Sequence, residues 1–196
     1  MSDMRIKDGT GDNYMCRVDA QNRLTVAGSM QAEEHFISSA KGLAYFANTA
    51  DTADTLTLTG NSCDILYIKN VHASKQLVIA KVLVSADTAG AIIKWKRNPT
   101  IGTIGNNNVH QPKSLNFSSN SNPDATVYSW DEVGDGMTGI TVGDTINTFI
   151  AGSGFTVFPI DSAMILERNN SLLINVKGTG ELSVGVRMFF MDKEVA

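Results

Sequence analysis

The sequence predicts an all-β protein, a jelly-roll-like antiparallel β-sandwich with an N-terminal hairpin arm and one short helix. Ser, Thr and Asn supply 49 of the 196 residues, beside 17 Gly and only 4 Pro. These polar side chains hydrogen-bond to nearby backbone, so they favour turns and exposed strand faces over helix interiors. Apolar residues recur mainly with a period of two, which is the spacing of a half-buried strand. Because no helical crossover separates the apolar runs, a two-sheet sandwich fits better than an α/β fold.

The two predicted domains are the N-terminal arm, residues 1–40, and the sandwich, residues 41–196. Within the arm, short apolar runs at 14–18 and 23–27 flank turn-forming residues, and this pattern predicts a β-hairpin. An isolated two-stranded ribbon is only marginally stable in water. We therefore expect the hairpin to find partner strands in the main body or in another subunit.

One helix is predicted, over residues 29–38. Ser29 is a good N-cap because its hydroxyl accepts a hydrogen bond from a free backbone N–H of the first turn. Glu33 and Glu34 lie early in the segment, where their carboxylates interact favourably with the positive end of the helix dipole.

Apolar runs with strand character follow one another through the sandwich domain. The connectors at 70–75 and 86–90 are short and rich in turn formers, so we expect consecutive strands to pair antiparallel. The turn Lys-Gly-Thr-Gly at 177–180 predicts a hairpin. The predicted strands lie at 56–58, 65–68, 76–85, 91–97, 126–130, 145–150, 155–158, 163–166, 171–176 and 181–190.

Residues 98–122 predict a long loop, because Asn, Ser, Gly and Pro leave little hydrophobic periodicity there. A loop of about 25 residues is unusual in a compact domain unless it is mobile or bound to something. We expect this one to contact a partner. A second Gly-rich stretch, 134–144, is predicted to connect two strands.

The charge balance argues against nucleic acid as a partner. The 16 basic and 20 acidic residues give a net charge of −4, and a pI of about 5.3, so a broad phosphate-binding surface is not expected. The densest basic segment is KWKR at 94–97. Alternation there places Lys94 and Lys96 on one face and Ile93 and Trp95 on the other, which is the pattern of a half-buried strand.

No apolar run approaches the 18 residues that would cross a membrane, and the first residues lack the apolar core of a signal peptide. We therefore expect no membrane partner and no export by the usual route. Cys16 and Cys63 lack CxxC spacing and each lies among apolar residues, so they are predicted to be buried free thiols in a reducing cytosol.

The residue types that carry bonded chemistry do not converge in the sequence. A nucleophile needs a base held beside it, and His35, His72 and His110 fall in different predicted elements. Asp131 and Asp135 match two ligand positions of a calcium loop, but the twelfth position holds Val where a bidentate Glu is required. We predict turn-forming roles for these carboxylates, no catalytic residue, no metal and no cofactor.

Three aromatic residues offer rings of the kind that stack on sugars, namely Tyr45, Tyr128 and Trp130. Aromatic residues make up only 7% of the chain, however. We therefore interpret these three as core residues.

Both ends of the chain carry short motifs. The opening has DGTG at 8–11, RVD and NRL within 17–24, EEH at 33–35 and LAYF at 43–46, and the end has LERNNSLLI at 166–174, GTG at 178–180 and MFF at 188–190. With these motifs the chain resembles small virion structural proteins of tailed bacteriophages, most of all a capsid decoration, or cement, protein. The resemblance covers roughly a third of the chain.

The resemblance implies a jelly roll that forms a homotrimer on the outer face of the head, where subunits of the major capsid protein meet. It also implies a location on the virion, after a period in the host cytoplasm. We expect shell contact from residues 1–27 and 98–122, with Arg suited to carboxylates through its forked guanidinium. The candidate contact residues are Lys7, Arg17, Arg23, Asn107 and His110.

Two other functions stay open at this point. A phage tail, baseplate or head-fibre component would use the same kind of β-sandwich and would bind host glycans. A calcium-dependent carbohydrate-binding module unrelated to virions fits less well, because the acidic cluster that it needs is missing from the sequence.

Overall fold

The protein is all-β and antiparallel, as the sequence predicts. The computed structural model describes residues 4–7, 13–18, 24–25, 43–49, 55–116, 118, 122–141 and 143–192, and no helix occurs in these ranges. The strands are β1 (Met4–Lys7), β2 (Asn13–Val18), β3 (Leu24–Thr25), β4 (Ala44–Asn48), β5 (Leu56–Asn70), β6 (Lys75–Ala86), β7 (Ala91–Arg97), β8 (Thr100–Gly105), β9 (Asn107–His110), β10 (Lys113–Ser114), β11 (Ala125–Trp130), β12 (Thr138–Thr141), β13 (Asp144–Ala151), β14 (Gly154–Leu166) and β15 (Ser171–Asp192).

The chain divides into two compact units, Met1–Ala32 and Glu33–Ala196. In the first unit, β2 pairs antiparallel with β1 on one side and with β3 on the other. The pairing of β2 with β3 is the predicted hairpin, and β1 adds a strand that the sequence did not predict. The predicted helix at 29–38 lies outside the described residues, as does the predicted domain boundary at residue 40.

The second unit is a curled, half-barrel-like sheet organised around β15. This strand runs antiparallel to β4, β5, β6 and β7. Leu182 pairs with Leu56 of β5 and with Ala86 of β6, so β5 and β6 lie on opposite edges of β15. The remaining registers place β4 end to end with β5 on one edge, and β6 end to end with β7 on the other.

Further strands widen the sheet on both sides. β14 pairs with β6, and β13 pairs with β7. On the opposite side, β11 pairs with β5 and is followed by β9, while β10 pairs with β4. The consecutive strands β5, β6 and β7 do not pair with one another, so the prediction that their short connectors form hairpins is wrong. Each of them pairs with β15 instead.

The sheet bends where its two longest strands carry glycines. Gly60 of β5 and Gly180 of β15 have φ angles of 96° and 89°, which residues with a Cβ rarely adopt. The register between the two strands also slips between Lys177 and Thr179, and such a slip bends a strand. The hairpin predicted at 177–180 is therefore wrong. The glycines bend β15 rather than reverse it, and the strand continues along β6 and β4.

The bend brings the two ends of β15 together. β5 ends level with the first residues of β15, and β6 begins level with its last residues, yet only residues 71–74 connect β5 to β6. At this closure Asn70 is fully buried. Its Nδ2 donates to the carbonyl oxygens of Lys75 at 2.9 Å and Leu166 at 2.8 Å, and its Oδ1 accepts from the His72 N–H at 2.9 Å.

The concave face of the sheet, the core face, encloses the main hydrophobic core. Alternate residues of β15 point into it, including Leu172, Val184 and Met188, all fully buried. Strands from both sides of the bend meet there, because Phe158 of β14 stacks on Phe149 of β13 with ring centroids 4.2 Å apart. Trp95 and Ile93 are buried in the same core, as predicted.

The convex face, the outer face, differs on the two sides of the bend. In the ribbon half (β7, β9, β11, β13 and residues 171–177), the two-stranded ribbon β8–β12 supplies Ile104 and Ile140, which pack against the core cluster. In the open half (β4, β6, β10, β14 and residues 182–192), a small separate cluster gathers around Phe189.

Residues 98–122 are not the long loop that the sequence predicts. They contain β8, β9 and β10, which pair with β12, β11 and β4. β12 likewise lies inside the Gly-rich stretch 134–144, predicted as a connector. Composition concealed these strands because they are short and mostly polar, and because their partners are distant in the sequence.

Candidate functional site

The structure places the arm residues predicted to contact a shell on neighbouring strands. Lys7 ends β1, where it pairs with Asn13, and Arg17 lies in β2, where it pairs with Thr25. Both therefore belong to the three-stranded sheet of the first unit. Arg23 lies outside the described residues.

The other two candidates, Asn107 and His110, both lie on β9. His110 is only 4% exposed, and Asn107 Nδ2 donates to the carbonyl oxygen of Ile104 at 2.8 Å. Val109, between them, is 70% exposed. Val109 is therefore more exposed than either candidate residue, Asn107 or His110.

The carboxylates considered as calcium ligands are bonded within the protein. Asp131 Oδ1 accepts from the Val133 N–H at 3.0 Å, and Asp135 Oδ1 accepts from Thr59 Oγ1 at 3.0 Å. Hydrogen bonds from Asn61 and Thr59 hold the pKa of Asp135 below its ordinary value. Within the described ranges, no three metal-ligating side chains come together.

Cys63 and His72, both in the second unit, also have local roles. Cys63 is a buried free thiol, and burial raises its pKa. His72 Nδ1 accepts from the backbone N–H groups of Ser74 and Lys75, both at 3.1 Å. His72 therefore orders the short connector between β5 and β6. His35 lies outside the described residues.

A cleft lies in the ribbon half. It has a volume of about 600 Å³ and opens between the ribbon and the outer face of the sheet, lined by Tyr128, Lys69 and Thr126 from the sheet and by Ile101 and Thr103 from the ribbon. The Tyr128 ring stacks on the buried Tyr67, with centroids 6.1 Å apart. Burial raises the pKa of the Tyr67 hydroxyl.

The other two aromatic residues considered for sugar stacking are core residues, as predicted. Tyr45 is 1% exposed and packs edge-on against Phe190. Trp130 is 3% exposed, and its Nε1 donates to the Val133 carbonyl oxygen at 3.0 Å. Only Tyr128, which is half-buried, presents part of its ring to a cleft.

A polar cluster lies beside the ribbon, on the outer face. Asn175 Nδ2 donates to Asp64 Oδ1 at 2.7 Å and Ser62 Oγ donates to Asn175 Oδ1 at 2.8 Å. Lys96 Nζ lies 3.6 Å from Asp64 Oδ1. Each of these groups has a partner, so the cluster joins β5, β15 and β7 in the ribbon half.

Large apolar side chains are exposed at both outer edges of the curled sheet. One edge presents Val109 on β9, with Ile101 of the ribbon nearby in sequence. The other edge presents Ile150 of β13 and Phe155 and Val157 of β14. Sequence reasoning missed the second edge. The available signal was that the 16 residues from 145 to 160 contain no charged side chain.

Comparisons with protein-family models, with curated proteins and with solved structures found no match to this chain. Among the residues that the structure describes, no helix is long and apolar enough to cross a membrane.

Proposed function

We propose that this chain is a decoration, or cement, protein of a tailed-bacteriophage head. It binds the outside of the assembled shell and bridges neighbouring subunits of the major capsid protein. The observation that carries the proposal is the exposed β9 edge with the adjoining ribbon. There the segment predicted to contact a partner presents Val109 at 70% exposure and Ile101 at 37%. Apolar side chains on an open strand edge favour association.

The proposed mechanism is mass action. A protein that binds only the expanded shell stabilises that state by about 2.7 kcal/mol per site when its free concentration is a hundredfold above Kd. Because the shell offers many equivalent sites, a modest stabilisation at each site adds up to a large one for the whole particle. Association between copies adds avidity, since linked contacts act at a high effective concentration.

Three further features are part of this proposal. They are a jelly-roll arrangement of the sandwich, a homotrimer, and an N-terminal arm with its helix that reaches the shell. The arm residues Lys7 and Arg17 support the arm's role through their positions on adjacent strands of one small sheet. The location that goes with the proposal is the capsid surface, after synthesis in the host cytoplasm.

The test is to add the purified chain to expanded shells that lack it, and to measure rupture on heating and at low salt. We expect bound protein and a higher rupture temperature. Deletion of residues 1–27 is expected to abolish capture while leaving the second unit folded. Failure to bind, or binding without protection, would contradict the proposal.

A matched pair of variants tests the β9 edge. Val109→Lys places a charge on the edge assigned to the shell and is expected to weaken shell binding about tenfold or more, as loss of a central apolar contact does. Val157→Lys makes the same change on the opposite edge and is expected to retain direct shell contact. Equal binding by wild type and Val109→Lys would contradict the role of this edge.

The alternative is a tail, baseplate or head-fibre component that binds host glycans. The cleft beside Tyr128 favours it, because Lys69 and Thr126 add polar groups around a partly exposed ring. Loss of glycan binding in Tyr128→Ala, with shell binding absent in the wild type, would favour this alternative.

A further inference from the structure

We propose that two copies of this chain associate by antiparallel pairing of β14 with β14. On one edge β14 pairs with β6. On its other edge, no strand among the described residues pairs with it. An open edge carries backbone N–H and C=O groups that match another strand. This association goes beyond the proposed shell binding and does not depend on it. It is an alternative to the homotrimer that the resemblance implies, because two-fold pairing closes at two copies, and the mass of the chain in solution decides between the two.

The first part of the β14 edge, residues 154–158, lacks the usual protection against pairing. Natural edge strands carry charged residues, prolines or bulges that prevent association. Between Asp144 and Asp161 the sequence has no charged residue. Pro159, and the register shift that follows it before Met164, blunt only the far part of β14. Residues 154–158 are therefore the stretch available for pairing.

This stretch is self-complementary. Phe155 pairs with Ser85 and Val157 with Leu83, and the alternation of a strand puts Phe155 and Val157 on the same, outer face. A two-fold axis at Thr156 sets Phe155 of each copy opposite Val157 of the other. Opposite side chains in such a pair have Cβ atoms about 4.5–5.5 Å apart. Four apolar side chains, now 67% exposed at Phe155 and 43% at Val157, then form one cluster.

The second copy is the occupant that these features favour. Self-pairing through residues 154–158 brings no like charges together, because this stretch has no charged residue. Two-fold pairing of β14 uses the same patch on both copies, which is the commonest way for a protein to form a closed dimer.

The test is the mass of the full chain in solution, measured by light scattering across a dilution series. We expect a dimer of twice 21.1 kDa. Val157→Lys is expected to raise the dimer dissociation constant by roughly 100-fold or more, because it places two charges in an apolar cluster across the two-fold axis. Phe155→Lys is expected to act alike, and circular dichroism checks that both variants fold.

Val109→Lys is the control, because it changes another exposed valine on the other edge strand, and it is expected to remain dimeric. A monomeric wild type, a trimer, an unchanged dimer in both β14 variants, or dissociation by Val109→Lys would each overturn the pairing. These outcomes differ from those of the shell experiment, since a monomeric variant still tests direct shell binding.

Discussion

The two halves of the curled sheet carry similar apolar side chains on their outer faces but treat them differently. In the ribbon half, Leu173 and Tyr67 are each 1% exposed, and the ribbon β8–β12 lies over this side of the sheet. In the open half, Phe189 is buried in its own small cluster, whereas Phe155 and Val157 face solvent along an edge with which no described strand pairs. An apolar residue on an outer face is therefore buried where other side chains of the chain cover it, and is part of a contact surface where they do not.

Of the substitutions predicted here, Asn70→Asp is expected to have the largest effect on stability, and it tests whether Asn70 joins the two halves of the sheet. Asn70→Asp replaces two donated hydrogen bonds with a buried carboxylate facing the carbonyls of Lys75 and Leu166. We expect a loss of about 3–4 kcal/mol in the free energy of unfolding, measured with urea. Asn108→Asp, an exposed control on β9, should change it by less than about 0.5 kcal/mol. Equal effects of the two changes would mean that Asn70 does not hold the closure.

A matched leucine pair tests the comparison itself. Leu173 and Leu83 both lie on the outer face, but Leu173 is covered while Leu83 is half-buried beside Phe155. We expect Leu173→Ala to reduce the free energy of unfolding by about 3 kcal/mol, because it leaves a cavity in the core, and Leu83→Ala to reduce it by about 1 kcal/mol. Thermal and urea unfolding measure both. A larger loss at Leu83 would show that the open half is covered in the isolated chain.

Gly185 tests how closely the outer face is packed in the open half. A Cβ at this position would lie 2.5 Å from Phe46 Cζ, so Gly185→Ala must displace a half-buried ring. We expect a loss of about 1–2 kcal/mol. The double change Gly185→Ala with Phe46→Leu should cost less than the sum of the single changes, because the crowding is relieved. Additive losses would mean that the ring does not lie over the glycine.

The smallest effect is expected in the ribbon half, at Ser129. Its Oγ is buried and has no hydrogen-bond partner within the described part of the chain. Ser129→Ala removes an unsatisfied polar group, so we expect the free energy of unfolding to rise by about 0.5–1 kcal/mol. A clear destabilisation would show that the hydroxyl makes a bond that this account lacks.

The sequence located the longer alternating strands, but it located neither the short polar strands nor the partners of the strands in the second unit. Period-two alternation correctly located β6, β7, β11 and the buried faces of Trp95 and Ile93, because alternation reports burial directly. Pairing depends on contacts between distant residues, so a short connector between two strands does not by itself predict a hairpin. The Gly-Thr-Gly segment at 178–180 is compatible with a reversal and with a bend, and only the registers of β15 with β6 and β4 distinguish them.

The candidate contact surface was predictable in part. Residues 98–122 were singled out by their composition, but the exposed residue there is Val109 rather than the polar Asn107 or His110. Polar side chains were favoured because they were expected in a loop, whereas the segment forms edge strands. The sequence does not predict an exposed β14 edge, because its residues have the alternation of any strand. The only signal is the absence of charged residues from 145 to 160.

Cosedimentation of the purified chain with expanded shells that lack it measures adhesion to an assembled shell directly. We expect saturable binding by the wild type, weak binding by Val109→Lys, and direct binding without the added avidity by Val157→Lys. Wild-type protein that stays in the supernatant at every concentration would contradict it.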